Sequence, residues 1–239
     1  MAAGAGDNSA RMNSTVTRLM VGGFEAPPSV APGERLVVNA WLVRHPEATL
    51  LVDTGIGAHI PEADVTEMKF VRTPIVDALA GIGVVPDDID LVVNCHLHPD
   101  HAGGNVHFRG TPILVQPAEL EAAHGADYTV PDDIDLELGR YELREGEHSP
   151  LPGILVIPTP GHSPGHQSVA IDTDAGRLLL AGQSFRDASG FSRALAALRL
   201  AADGYEHAPS TPEWLPRALE LAPYRVAFGH DLAVWQPDA

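Results

Sequence analysis

The sequence predicts a mixed α/β fold in which helices pack on the outside of layered β-sheets. Short apolar runs typical of strands alternate with stretches typical of helices, and tight turns join some of the strands into hairpins. Predicted strands also end repeatedly in loops that carry His or Asp. Because a rigid scaffold holds such loops in place, we expect the chemistry of the protein at the ends of its strands.

Length and composition indicate one globular domain. The chain has 239 residues, of which 44% are apolar, and this is enough to bury a substantial core. We assign residues 15–239 to this domain and the small, polar residues 1–14 to a flexible N-terminal tail. The tail lacks the charged start and apolar middle of a secretory signal, and no apolar run is long enough to span a bilayer. We therefore expect a cytoplasmic protein that does not associate with membranes.

Charge and cysteine content narrow the possible partners. The formal net charge is −17, and a surface this acidic repels nucleic acids while it tolerates a small neutral or cationic substrate. Cys95 is the only cysteine, which excludes an intrachain disulfide and a cysteine-rich zinc site. Nothing in the sequence decides between a monomer and a dimer.

The individual elements can be placed along the chain in order. The predicted strands are Arg35–Val43, Thr49–Val52, Asp90–Asn94, Pro112–Val115, Ile154–Ile157, Gln167–Asp172, Arg177–Ala181 and Tyr224–Phe228. The predicted helices are Thr73–Ala80, Pro117–His124 and Thr211–Leu221, each with a proline in its first turn. The Ala/Leu/Arg-rich stretch from Ser184 to Asp203 indicates a further helix that would cover the site as a flap.

The densest chemical signal is the run His96-Leu97-His98-Pro99-Asp100-His101, which directly follows a predicted strand. Side chains two residues apart on extended backbone point the same way, so His96 and His98 can bind one cation through neutral imidazoles. Pro99 forces a change of direction, so Asp100 and His101 point elsewhere and can hold a second cation. The run therefore predicts a metal site.

Further polar residues follow other predicted strands. His162 lies in the rigid turn Thr159-Pro160-Gly161-His162, and His230 follows a glycine after the last strand. A fixed backbone around a single histidine suits a metal ligand. Asp53 ends a strand beside a glycine turn, where it is either an acceptor that orients a metal-bound histidine or an ordinary turn aspartate.

The order of these motifs resembles the metallo-β-lactamase superfamily over most of the chain, from Asp53-Thr54-Gly55 to His230. The segments 94–105 and 159–168 are most similar to the N-acyl-homoserine lactonase branch, although thioesterases, glyoxalase II enzymes and polyketide-processing hydrolases share the same motifs. The resemblance implies a four-layer αβ/βα sandwich, with two mixed sheets inside and helices outside. It also implies one metal held by His96, His98 and His162, and another held by Asp100, His101 and His230.

Two residues depart from the pattern that the resemblance implies. Gln183 stands where an aspartate would bridge both metals, and a neutral amide is a poorer ligand than a carboxylate. Asp187 is a less favoured substitute for that carboxylate. Arg186 stands where a tyrosine would lie near the substrate carbonyl; arginine can stabilise an oxyanion but does not give up its proton.

From Gln183 we expect one tightly held cation, in the three-histidine site, and a second that binds weakly if at all. Gln183 itself would be a weak ligand at most. Zinc is the expected metal, since three imidazoles and a water form a known catalytic zinc arrangement. Iron, manganese and cobalt are alternatives.

The resemblance implies a hydrolase that uses metal-activated water on a neutral lactone or ester. Asp100 would carry a proton to the leaving oxygen, and Arg186 would help the metal to stabilise the oxyanion. Two other functions stay open at this point. One is a thioesterase or cyclase-type hydrolase of a biosynthetic pathway, and the other is a weakly active homologue that binds a ligand or a partner.

Two neighbours of the ligand residues are assigned other roles. His166 is expected to be structural or to support a ligand. Cys95 precedes His96 on the predicted strand, so we expect its side chain on the opposite side, as a small buried apolar group.

Overall fold

The computed structural model describes residues 14–27, 31–126 and 128–237. Its strands are β1 (Thr15–Glu25), β2 (Arg35–Arg44), β3 (Thr49–Val52), β4 (Val71–Arg72), β5 (Leu91–Val93), β6 (Ile113–Val115), β7 (Tyr141–Leu143), β8 (His148–Leu151), β9 (Ile154–Pro158), β10 (Gln167–Thr173), β11 (Gly176–Leu180), β12 (Arg225–Ala227) and β13 (Val234–Trp235). Its α-helices are α1 (Glu62–Met68), α2 (Ile75–Ala80), α3 (Pro99–Ala102), α4 (Pro117–Ala123), α5 (Pro131–Ile134), α6 (Ala188–Ala202) and α7 (Leu215–Glu220).

The strands form two mixed sheets, as predicted. One has seven strands in the order β4-β1-β2-β3-β5-β6-β7, and the other has six in the order β13-β12-β11-β10-β9-β8. Each sheet combines antiparallel hairpins with parallel pairs, such as β3 with β5 and β11 with β12. The predicted fold class is therefore confirmed.

Three apolar clusters separate the four layers. Alternate residues of one strand enter different clusters: Leu42 of β2 faces the helices α1 to α5, whereas Trp41 and Val43 face the second sheet. In the second sheet, Leu178 and Leu180 of β11 face the first sheet, and Leu179 packs with α6 and α7. The period of two along each strand thus builds a sandwich with helices on both outer faces.

The sheet topology brings five strand ends to one edge of the sandwich. β3 and β5 run parallel to each other in the first sheet. In the second sheet β9, β11 and β12 share one direction, because β10 is antiparallel to both of its neighbours and β11 is parallel to β12. The two sheets are joined at this edge where the amide of Gln167 donates to the carbonyl of Cys95 at 2.8 Å. The loops after these strands carry all of the predicted ligand residues.

Several predicted boundaries change in the structure. The predicted helix from Thr211 is wrong in its first turn: α7 begins at Leu215, so that Pro216 falls in its first turn. A helix from Thr211 would place Pro216 in its interior, where the ring clashes and a hydrogen bond is lost. The helix predicted from Thr73 begins at Ile75, with Pro74 as its N-cap.

The N-terminal region differs as well. Residues 1–13 of the predicted tail lie outside the described residues. Ser14 is buried, and its amide donates to the carbonyl of Asp172 at 3.0 Å, so its assignment to a flexible tail is wrong. β1 follows at once, although its sequence predicts no strand, because Gly22 and Gly23 interrupt its apolar pattern. In the described part of the chain, no helix has the length and apolar character needed to cross a membrane.

Candidate metal centre

Three histidines from two loops meet after β5 and β9. The Nε2 atom of His96 lies 3.0 Å from Nδ1 of His98 and 3.1 Å from Nε2 of His162, and the last two atoms are 3.1 Å apart. Three ring nitrogens therefore form a nearly equilateral triangle. We call His96, His98 and His162 the three-histidine group.

The chemistry and spacing of the three-histidine group fit a tetrahedral cation. Zn–N distances of about 2.0–2.1 Å require ligand nitrogens about 3.3–3.4 Å apart, which is close to the distances observed. Desolvation, with the neighbouring His98 and His101, lowers the pKa of His162 to about 3. Burial also lowers the pKa of His96 well below its ordinary value. Both rings are thus neutral at pH 7, the form that binds metals.

A second group lies next to the first and comes from α3 and the end of β12. It contains Asp100, His101 and His230, which we call the Asp-His-His group. The Nε2 atoms of His101 and His230 are 3.1 Å apart, and Oδ2 of Asp100 lies 3.6 Å and 3.4 Å from them. The rings of His96 and His101 are adjacent, with centroids 4.2 Å apart.

Hydrogen bonds on the far side of the rings fix the tautomers of the Asp-His-His group. Nδ1 of His101 donates to Oδ2 of Asp53 at 2.9 Å, and Nδ1 of His230 donates to the carbonyl of Val37 at 2.8 Å. Neutral rings so oriented present Nε2 as an acceptor, and Asp100 adds a third acceptor. Burial lowers the pKa of His101, but the neighbouring carboxylates of Asp100 and Asp53 outweigh burial and raise the pKa above its ordinary value. The group therefore attracts a positive charge.

Asp53 joins the strand ends beneath both groups. Besides His101, its carboxylate accepts the amide of Cys95 at 2.7 Å and the Cys95 thiol at 2.8 Å. Asp53 has a positive φ of 60° and is 2% exposed, which is unusual for an aspartate that only closes a turn. It acts as the acceptor that orients His101.

Cys95 is buried, but its predicted orientation is wrong. Its sulfur lies 3.2 Å from Nδ1 of His96 and 3.3 Å from Nδ1 of His101, directly behind the ligand rings. The backbone turns after β5, so Cys95 and His96 do not alternate as they would in a strand. Burial and Asp53 raise the pKa of the thiol, which stays protonated as a donor to Asp53. Gly182 packs against it, and a Cβ there would lie 2.6 Å from Cβ of Cys95.

Gln183 follows β11 and reaches the same centre. Gln183 lines the same cavity as Asp100, His98 and His162, so it brings an amide, not a carboxylate, to the centre. Its backbone amide donates to Nε2 of His166 at 3.0 Å, and Nδ1 of His166 bonds the Thr159 hydroxyl at 2.8 Å. His166 thus fixes the position of Gln183 from behind.

A cavity of about 1040 Å³ opens over both groups. His98, Asp100, His162 and Gln183 line it. Its lining also contains the apolar residues Phe24, Leu36, Ile60, Met68 and Phe70. The cavity thus combines a mainly apolar lining with a few metal-ligand-type side chains, as small-molecule sites commonly do.

The loop before α6 also borders the cavity, as expected for the stretch from Ser184. Arg186 lines it, and its guanidinium pairs with Glu34 and with Asp187, at 3.3 Å each. Asp187 caps α6 by accepting the amide of Gly190 at 2.6 Å. Because its carboxylate is used in this way, Asp187 is not free to act as the bridging carboxylate that the resemblance implies.

Two residues of the centre are not predicted from the sequence. Glu119 lies on α4 with 1% exposure, and its carboxylate bonds the loops of the three-histidine group. The ring of Tyr128 packs on His98 with centroids 4.6 Å apart, and its hydroxyl donates to Glu119. A glutamate on a short helix is normally solvated, so its sequence context gives no signal of this burial.

Comparisons with known proteins agree with this geometry. The profile of the metallo-beta-lactamase superfamily matches residues 33–230. An N-acyl homoserine lactonase from a Bacillus species is 36% identical over 177 residues, which are 68% of this chain and 70% of that protein. A human metallo-beta-lactamase domain-containing protein 1 is 36% identical over 57% of this chain and 43% of that protein.

Solved structures give the same result over more of the chain. A structure of an N-acyl homoserine lactone hydrolase, with N-hexanoyl-L-homoserine at its catalytic metal centre, superposes with a TM-score of 0.73 at 28% identity. It covers 92% of this chain and 94% of that one. A mutant lactonase of Bacillus thuringiensis with bound N-decanoyl-L-homoserine gives 0.72 at 29% identity, again over 92% and 94%.

These matches and the two donor groups support a divalent metal ion as the cofactor. The resemblance first noted in the histidine motifs thus holds across the whole sandwich. The chain belongs to the metallo-beta-lactamase superfamily, in its N-acyl-homoserine-lactonase-like branch.

Proposed function

We propose that the protein is a metal-dependent hydrolase that opens the ring of an N-acyl homoserine lactone or a similar neutral lactone. The observation that carries this proposal is the pair of donor groups, members of which line a mainly apolar cavity. Several bacterial relatives that the chain matches are named N-acyl homoserine lactonases, and two of the solved structures hold ring-opened acyl-homoserines.

The three-histidine group would hold one divalent cation tightly, and zinc suits three neutral imidazoles. The Asp-His-His group would bind a second cation more weakly. A carboxylate between two cations offsets their mutual repulsion, and the amide of Gln183 cannot do so. The position of Gln183 in the cavity lining beside Asp100 supports this assignment.

When bound, the cation lowers the pKa of a water molecule and polarises the substrate carbonyl. Asp100 is placed to take up and return a proton, because it lies beside the cation groups and lines the cavity. Burial opposes its ionisation, but His101, His230 and His98 lower its pKa overall, so it is a carboxylate at neutral pH. It would receive the proton of the attacking water and deliver it to the leaving alkoxide of the opened ring.

Arg186 would stabilise the oxyanion that forms on the attacked carbonyl. Its guanidinium lines the cavity, and two carboxylates hold it there, which leaves part of its five-donor fork for the substrate. The apolar wall around Phe24 and Phe70 suits an acyl chain, and burying such a chain contributes about 0.8 kcal/mol per methylene.

The direct test is a panel of substrates on wild type and on H98A. We expect wild type to open N-hexanoyl and N-decanoyl homoserine lactone in preference to acyl thioesters, and H98A to lose this activity. H124A is the matched control, because His124 is exposed on the C-cap of α4 and should leave turnover unchanged. Turnover of thioesters alone, or full activity of H98A, would contradict the proposal.

A further inference from the structure

Glu119 is a buried carboxylate that the reaction itself does not use. It lies on α4, between the loop that carries His96 and His98 and the turn that carries His162. We propose that Glu119 is a positioning residue that fixes the three-histidine group and thereby sets its affinity for the cation. This inference rests on the metal centre of the proposed function.

Four donors surround the Glu119 carboxylate. Oε1 accepts the amide of Leu97 at 2.8 Å and the hydroxyl of Tyr128, and Oε2 accepts the hydroxyl of Ser163 at 2.7 Å and the amide of Gly165 at 3.1 Å. A carboxylate has about four lone-pair positions, so each of them is filled. An amide at this site would have to turn its NH₂ toward donors.

Each of the four donors lies in a segment that carries or contacts one or more of the three histidines, and Gly165 lies in the turn of His162. Leu97 lies between His96 and His98 in the chain, so its amide fixes the backbone of both. Ser163 follows His162 directly. The ring of Tyr128 packs on that of His98. One rigid anion therefore holds all three rings, although they come from segments that are far apart in sequence.

Close packing supports the same role. A Cβ on Gly165 would lie 2.2 Å from the Glu119 amide nitrogen, so only glycine lets the His162 turn approach α4 this closely. Loops held in this way are pre-organised, and their ligand atoms need not reorder when a cation binds.

The negative charge of Glu119 should also strengthen cation binding by the three-histidine group. All four of these donors are neutral, and among the residues that the structure describes no Arg or Lys hydrogen-bonds to its charge. The three histidines are neutral ligands and bring no charge of their own. A buried anion beside them favours a cation among them, since interactions in the interior are weakly screened.

The test is a titration of the metal-stripped full chain with Co²⁺ against a competing chelator. We expect E119Q to bind Co²⁺ about 10- to 100-fold more weakly than wild type, the usual effect of losing a residue that orients metal ligands. We also expect its visible Co²⁺ absorption to change in shape and intensity, because the ligand geometry relaxes. A residue with a merely structural role would lower stability and leave this spectrum unchanged.

D133N is the matched control. Asp133 is also a fully buried carboxylate, and it accepts the amides of Ala58 and His59 and the ring of His59 without contacting a ligand residue. D133N should lose stability but keep its Co²⁺ affinity and spectrum. Equal affinity and identical spectra for E119Q and wild type would overturn the inference.

If E119Q does not fold, Y128F and S163A decide the question, since each removes one donor and keeps the carboxylate. Both should weaken Co²⁺ binding measurably, and wild-type affinity in both would overturn the inference. Failure of the metal centre on which the inference rests is distinguishable, because wild type itself would then bind no Co²⁺.

Discussion

The Nε2 atoms of His101 and His230 face each other at 3.1 Å, with the far nitrogen of each ring already donating to an oxygen. If both rings are neutral in these tautomers, their two Nε2 atoms are both hydrogen-bond acceptors and face each other. The carboxylate of Asp100 lies beside both atoms. Only a proton or a metal cation between them relieves this arrangement. The relationship marks the group as a cation site and leads to the first prediction.

Replacing Asp53 should weaken the second cation selectively. D53N removes the negative charge and replaces one of the two acceptor oxygens with an NH₂ that faces donors, so His101 is held less firmly. We therefore expect affinity at the Asp-His-His group to fall about 10- to 100-fold. Binding at the three-histidine group should change little. Calorimetric titration with Zn²⁺ would resolve the two steps, and D77N, at an exposed position on α2, is the control. An unchanged second step would refute this role of Asp53.

Restoring a carboxylate at Gln183 should raise the metal content. Wild type purified without chelator should contain about one tightly bound cation per chain, and Q183D about two, because a carboxylate offsets repulsion between neighbouring cations. Q183N keeps an amide and should stay at about one. Elemental analysis decides this, and two full equivalents in wild type would contradict the proposed role of Gln183.

Removing Arg186 should slow turnover more than it weakens substrate binding. Loss of an oxyanion donor costs about 100- to 1000-fold in kcat, so R186A should fall by about this factor, and R186K by less because it keeps the charge. Steady-state kinetics on an N-acyl homoserine lactone measure the effect. R199A removes an exposed arginine of α6 that pairs with Asp203 and should behave as wild type. A kcat for R186A within twofold of wild type would exclude the oxyanion role.

Acid should destabilise the metal-stripped protein from about pH 6.5 downward. Burial is the leading cause that lowers the pKa of six histidines, to about 4 for His230 and about 3 for His162; the other four are His96, His98, His148 and His166. Between these values and the ordinary pKa of about 6.5, the unfolded chain binds more protons, so stability falls as pH falls.

The titration of His101 has the opposite effect on stability, because its raised pKa stabilises the folded state in acid. We expect the six histidines with lowered pKa values to outweigh it. Urea unfolding of the stripped protein at pH 7, 6 and 5 tests this balance. A denaturation midpoint that holds steady or rises toward pH 5 would show that the pKa shifts are misassigned.

The sequence predicts those parts of the fold that follow from local pattern. The apolar runs in Gln167–Asp172 and Arg177–Ala181 predict a hairpin that the structure contains. Its first strand is one residue longer than predicted, and its second begins and ends one residue earlier. β1 escapes prediction, because its glycines and partial exposure hide its periodicity until it pairs with β2. The start of α7 is also mispredicted, because both Pro212 and Pro216 are suited to the first turn of a helix and the sequence does not decide between them.

In the candidate site too, some features can be predicted from the sequence and others cannot. The histidine run and the two later histidines are predictable, because ligand-type residues at strand ends stand out from an apolar background. Contacts between distant segments are not. The orientation of Cys95 depends on a backbone turn after β5, and the role of Glu119 depends on four donors supplied by three separate segments. Such contacts arise only from tertiary packing.

Metal-dependent ring opening is the central claim, and one measurement tests it most directly. The hydrolysis of N-hexanoyl homoserine lactone is followed by chromatography of the ring-opened product, for the chelator-stripped protein and after stepwise addition of Zn²⁺. We expect no turnover in the stripped protein and recovery of most of the activity at about one Zn²⁺ per chain. Ring opening by the stripped protein, or none at any Zn²⁺ content, would contradict the account.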